Sequence, residues 1–174
     1  ASSSAASDVY KRQDCGPLIS AKQKDRVSQF LQQASADNIP QIAQATLDPD
    51  APKEGYFVPP AIFGPVPEQH PLAQKEVFGP ILSAIPFTDE ADAIRIANAT
   101  EFGLAAGVWT RDGARQMRLV KTIRAGQVFV NNYGAGGGVE LPFGGVKNSG
   151  HGREKGFSAL QEFSTSKTVV FKHD

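Results

Sequence analysis

Ile81 to Asn131 reads ILSAIPFTDEADAIRIANATEFGLAAGVWTRDGARQMRLVKTIRAGQVFVN, and this stretch decides the fold class. Ile81 to Phe87 is a short apolar run fit for a buried strand, with Pro86 near its end. Thr88 offers a hydroxyl N-cap, and Asp89 and Glu90 put negative charge in the first helical turn, where the helix dipole is positive. Ala93, Ile94 and Ala97 form an apolar stripe on that helix, and Gly103 lies beyond its end. Leu104 to Thr110 reads as the next strand. Asp112 opens a second helix with Met117, Val120 and Ile123 inward, Lys121 and Arg124 near its negative end, and Gly126 placed as its C′ residue. Gln127 to Asn131 is a third strand. Alternating strands and helices with short connections predict an α/β fold of parallel βαβ units, because parallel strands need a crossover between them.

Upstream, the pattern is less regular. Ala1 to Gln13 (ASSSAASDVYKRQ) is small, polar and aperiodic, without the apolar core of a secretory signal, and is set aside as a leader or artefact. Ser20 is placed as the N-cap of a helix whose Val27, Phe30 and Leu31 share one face, and Pro40 reinforces its stop near Asp37 and Asn38. Gln41 to Leu47 reads as a short strand and Asp48 to Gly55 as a loop. Tyr56 to Phe63 is apolar but proline-interrupted, which predicts an edge or irregular strand. At the far end, Thr168, Val169, Val170 and Phe171 make Ser166 to Lys172 a strand candidate.

Composition narrows the function. Of the 174 residues, 40% are hydrophobic and 21% charged, which suits a globular fold with a core. Lys plus Arg and Asp plus Glu both number 18, so there is no basic field to attract nucleic acid or a membrane surface. No apolar run approaches membrane-spanning length. The single cysteine excludes an internal disulfide and fits a reducing cytosol, so a cytoplasmic location is expected. His70, His151 and His173 are scattered without metal-ligand spacing.

Two further segments carry the chemistry. In KEVFGP (Lys75 to Pro80), extended backbone would put Glu76 and Phe78 on one side. A carboxylate beside an aromatic ring suits a ribose with its heterocycle; a solvated glutamate beside a core phenylalanine is the plainer alternative. The run Gly134 to Gly138 follows a strand, but Val139, Glu140, Leu141 and Pro142 come next instead of a helix, and the spacing is not GxGxxG. A phosphate cradle needs the helix N-terminus, so a flexible rim is the better reading. In LPFGGVKNSGHGRE (Leu141 to Glu154), the plain readings are a core Phe143 and a Glu154 paired with Arg153 or Lys147. His151 reads as a loop histidine.

KEVFGP and LPFGGVKNSGHGRE, in this order and spacing, resemble the carboxyl-terminal part of the aldehyde dehydrogenase catalytic domain. The resemblance runs from about Asp14 to the end. It implies that Glu76 binds the nicotinamide ribose and that Phe78 packs beside the nicotinamide of NAD or NADP. It implies that Phe143 walls the aldehyde pocket, that Glu154 is a candidate proton relay, and that the glycine run lines the aldehyde tunnel. Asn131, Asn132 and Tyr133 resemble the segment leading into that tunnel, where their side chains would bond backbone groups. Residues 14–165 would be catalytic domain and 166–174 an oligomerisation strand joining a neighbouring subunit in a dimer or tetramer. The family's nucleophilic cysteine lies in a different context from Cys15, which directly precedes Gly16-Pro17-Leu18-Ile19-Ser20, so Cys15 is not expected to be that thiol.

The intact enzyme would oxidise an aldehyde to a carboxylic acid through a cysteine thioester hydrolysed by a glutamate-activated water. The isolated chain would then be inactive. A truncated subunit acting as an interaction module is the alternative from another class. A reductase of acyl phosphates or acyl-CoA fits the fold but fits the two motifs less well.

Overall fold

The computed structural model describes residues 15–52, 54–132 and 138–173. The leader expectation for Ala1 to Gln13 and the glycine run from Gly134 to Gly137 lie outside them. The chain divides into two compact units, with the boundary between Pro86 and Phe87.

In the first unit, Ser20 caps helix α1 (Ala21–Ala36) as expected, its hydroxyl accepting from Gln23 N at 3.2 Å. Helix α1 buries Val27 and Ala34, with Phe30 and Leu31 packed beside them. It ends at Asp37, and Ile39 N returns to Ala34 O at 2.9 Å. The sheet has the order β1 (Gln41–Gln44), β2 (Ala61–Phe63) and β3 (Ile81–Ser83), antiparallel then parallel. Helix α2 (Pro71–Gln74) connects β2 to β3.

Two expectations are corrected here. β2 is the central strand, not an edge. Pro59 and Pro60 precede its first paired residue, so neither removes a donor from the ladder, and Pro60 O still accepts from Ala45 N at 2.8 Å. β3 is shorter than predicted and only half-buried, with Leu82 exposed. Its partner is β2, so it does not continue the sheet that follows. The core consists of Val27, Ala34, Ala61, Phe63, Val66, Leu72 and Val77.

In the second unit, helix α3 (Glu90–Asn98) and helix α4 (Gly113–Thr122) flank the parallel pair β4 (Ala105–Val108) and β5 (Gln127–Val130), which gives the expected β–α–β unit. The cap of α3 is Asp89 rather than Thr88. Asp89 Oδ1 accepts from Asp92 N at 2.8 Å, while the Asp92 carboxylate reaches back past the cap to accept from Thr88 N at 3.1 Å. Asp112 caps α4 as expected. Met117 is exposed, and Leu119, Val120 and Ile123 supply the half-buried face instead. Gly126 is not a C′ residue, because α4 ends at Thr122 with Ile123 extended. Its smallness serves close packing: a Cβ there would run into the Gly144 carbonyl. A 3-10 turn (Lys147–Ser149) and helix α5 (Gly156–Glu162) follow. Ser166 to Lys172 is not a strand, contrary to expectation, and Val169, Val170 and Phe171 are exposed: the β-prone segment has no ladder partner among the described residues.

Candidate active site

The KEVFGP segment, Lys75 to Pro80, belongs to the first unit. Lys75 leaves α2 in extended conformation, and burial alternates over the next three residues: Glu76 exposed, Val77 buried, Phe78 exposed. Val77 is 8% exposed and wedges into the core, while Glu76 and Phe78 face solvent, Phe78 at 69%. α1 grips the backbone of this segment. Gln23 Nε2 donates to Val77 O at 3.0 Å and Phe78 O at 2.7 Å, and Arg26 Nη2 donates to Glu76 O at 2.6 Å. The grip holds Phe78 at φ 55°, a left-handed conformation costing about 1–3 kcal/mol for a residue with a β-carbon. Gly79 follows because its backbone lies against Val27, where a Cβ would sit 2.6 Å from a methyl carbon. These three bonds all go to backbone carbonyls, and the Glu76 and Phe78 side chains are exposed.

The LPFGGVKNSGHGRE segment, Leu141 to Glu154, belongs to the second unit. Phe143 and Glu154 face each other in an antiparallel bridge, Phe143 N donating to Glu154 O at 2.6 Å and Glu154 N to Phe143 O at 2.7 Å. The ring of Phe143 is half-buried, with Lys155 Nζ 5.4 Å from its centroid. The Glu154 carboxylate is exposed rather than enclosed in a narrow tunnel. It is not paired with either cation considered for it. Arg153 Nη1 donates to Gly145 O at 2.7 Å and Gly152 O at 3.0 Å. Lys147 Nζ donates to Asn98 O at 3.0 Å and Thr100 O at 2.9 Å, and burial, aided by the nearby Arg124 charge, pushes its pKa down. Phe143, Glu154, Leu104, Ser149 and Phe163 line a cleft of 340 Å³. His151 is an exposed member of its rim.

β5 ends at Val130, and the side chain of Asn131 just beyond imitates a further ladder step: Oδ1 accepts from Thr110 N at 2.9 Å and Nδ2 donates to Thr110 O at 3.0 Å. This is the backbone-bonding role expected of it. The tunnel-loop reading of Tyr133 to Gly137 lies outside the described residues. Cys15 is exposed in the first unit. Among the described residues no group of three or more His, Cys, Asp or Glu could hold a metal, and no helix is long and apolar enough to cross a membrane.

Sequence reasoning missed Gln23 and Arg26, which sit three apart on the polar side of α1; only that spacing pointed to a shared target. It also missed that Lys147 serves carbonyls rather than Glu154.

The Aldehyde dehydrogenase family profile matches residues 4–169, beginning inside the segment set aside as a leader. The curated betaine aldehyde dehydrogenase of Rhizobium etli (strain CIAT 652) is 39% identical over 154 residues, covering 88% of this chain and 31% of that protein. That of Brucella anthropi is 42% identical over 159 residues, covering 88% and 32%. A solved structure of a putative aldehyde dehydrogenase from Burkholderia cenocepacia superposes with a TM-score of 0.87 at 60% identity, covering 92% of this chain and 34% of that one. The Mycobacterium tuberculosis aldehyde dehydrogenase complexed with NAD+ gives 0.82 at 37% identity, covering 90% and 32%. The chain therefore spans less than two thirds of each of these proteins.

Proposed function

The chain belongs to the aldehyde dehydrogenase family, and on that premise we propose that it is the carboxyl-terminal part of the catalytic region of an enzyme oxidising an aldehyde to a carboxylic acid with NAD or NADP. The observation that carries this reading is the outward presentation of Glu76 and Phe78 from a backbone held by Gln23 and Arg26. The fit to a nicotinamide nucleotide is chemical: an ionised carboxylate can accept from both ribose hydroxyls, and the adjacent ring offers an apolar face to the heterocycle. When bound, that cofactor supplies the hydride acceptor.

The residues of this chain position and enclose. Glu76 orients the ribose and Phe78 shields one face of the ring. Phe143 forms one wall for the aldehyde, and the neighbouring Glu154 carries a proton between the site and solvent, a task suited to its exposure. No chemistry is assigned to Cys15, which directly precedes Gly16-Pro17-Leu18-Ile19-Ser20, outside the context of the family nucleophile. The nucleophile and the base that activates water are assigned to sequence outside these 174 residues. Ser166 to Lys172 is read as an oligomerisation strand, since its exposed Val169, Val170 and Phe171 ask for a strand partner. The working enzyme is then a cytoplasmic homo-oligomer.

The test uses the full-length enzyme. Glu76→Gln keeps the shape but loses the charge-assisted bonds, worth about 1.5–3 kcal/mol. It should therefore weaken nicotinamide nucleotide binding about 10- to 100-fold, read by quenching of protein fluorescence, while aldehyde KM at saturating cofactor changes little. An unchanged cofactor Kd would remove the basis of the reading.

A further inference from the structure

The span from Phe143 to Glu154 is tied at its mouth by the bridge between those two residues, and its tip is tied to the chain just after α3. Val146 N donates to Gly103 O at 3.0 Å, Asn148 N to Glu101 O at 3.0 Å, and Gly103 N to Ser149 Oγ at 3.0 Å. Gly103 is obligatory there, because a Cβ would sit 2.8 Å from a Val146 methyl and 2.6 Å from Arg124 O. At the centre stands Lys147, whose ammonium donates to Asn98 O and Thr100 O. These carbonyls lie at and just past the negative end of α3, where backbone acceptors lack helical partners and a cation is held best. Asn98 also fastens α3 to the end of α4, Nδ2 donating to Thr122 O at 2.9 Å and Oδ1 accepting from Arg124 N at 2.7 Å. Lys147 holds φ 56°, a conformation that persists only where the surroundings over-determine it.

We infer that Lys147 is a positioning residue for Phe143 and Glu154: its ammonium pins the 147–149 turn to the end of α3, and the bridge passes that constraint to the aromatic wall and the carboxylate. The ammonium touches neither side chain, so its effect on catalysis is through their placement. This rests on the aldehyde-oxidising reading above, whereas the constraint itself does not.

The experiment compares the full-length enzyme with Lys147→Met. Misplacing catalytic groups by about 1 Å costs on the order of 100-fold, so kcat/KM for the aldehyde should fall about 10- to 100-fold. The cofactor Kd should hold, because Glu76 and Phe78 belong to the other unit. Hydrogen exchange at the Phe143 and Glu154 amides should accelerate, and Lys147→Arg, which keeps a cation within reach of the same carbonyls, should recover part of the loss. If the Met variant does not fold, Lys147→Gln, which retains an N–H donor, is read the same way. Unchanged exchange and unchanged kcat/KM would overturn the inference. So would aldehyde KM, cofactor Kd and Tm worsening together, the mark of plain scaffolding. If the wild-type enzyme oxidises no aldehyde, the functional reading fails, and the exchange comparison alone then decides whether Lys147 holds the pair.

Discussion

Up to Pro86 the chain closes a core: Val27, Ala34, Ala61, Phe63, Val66, Leu72 and Val77 are all buried around α1 and the central strand. From Phe87 onward, Val108 is the only buried hydrophobic side chain among the described residues, and α3, α4 and α5 bury none. There the apolar side chains Phe87, Ile94, Trp109, Leu119 and Ile123 line an open groove of 520 Å³. What orders the second unit is polar: Asn98 between helix ends, Lys147 on carbonyls, Asn131 extending the ladder, and Glu90 bonded to Arg115 at 3.0 Å and Arg118 at 2.5 Å. One unit is held by area removed from water and the other by directional bonds, so the two should respond to different perturbations.

The largest expected effect is on the closed unit. Val27→Ala removes two methyl groups from a fully buried position beneath Gly79 and should destabilise that unit by about 2–3 kcal/mol, read by denaturant unfolding followed through amide exchange in α1. Exchange in α4 should barely move. If both units lose protection equally, they are one cooperative body and the contrast fails. The intermediate effect is on the polar unit. Asp112→Ala strips the α4 cap and should cost about 1 kcal/mol, seen as faster exchange at Arg115 N and its neighbours with α1 unchanged.

The smallest and broadest effect is acid. The Arg118 hydrogen bond, seconded by Arg115, holds the Glu90 carboxyl down at about 2, and the backbone hydrogen bonds from Thr88 and Arg115 lower Asp92 and Asp112. A carboxyl lowered on folding contributes stability above its unfolded value, and that contribution is lost as pH falls through the folded one. For Glu90 the window runs from 4.5 down to about 2. Amides of α3 and α4 should lose protection across it before those of α1. Equal loss in all three helices would blunt the comparison.

The same contrast explains what could be read from sequence. Ser20 and Asp112 were legible as caps because an N-cap is a local bargain between one side chain and the next turn. Thr88 was one residue off because Thr88 and Asp89 are both good caps side by side; Asp89 takes Asp92 N, and Thr88 N is held instead by the Asp92 carboxylate. The exposure of Glu76 beside a buried Val77 followed from alternation, whereas the left-handed turn at Phe78 did not. Strand pairing was not local: β3 has the composition of a continuing parallel sheet yet pairs with β2, whose prolines concealed a central strand. Met117 misled because a helix without a buried face gives no reward for directing a methionine inward. Neither Gln23 nor Lys147 could be seen as a backbone clamp, since their targets lie far along the chain and carry no side-chain signature.

The bridge between Phe143 and Glu154 has a bearing on how this site can diversify. With its mouth closed by two backbone bonds and its tip fastened after α3, the span between them has a set length. Asn148 and His151 face solvent within it and can be exchanged without disturbing the backbone bonds at either anchor. Evolution is thus left free to edit such exposed letters but not the spacing between the anchors, since an inserted residue would strain either the bridge or the turn.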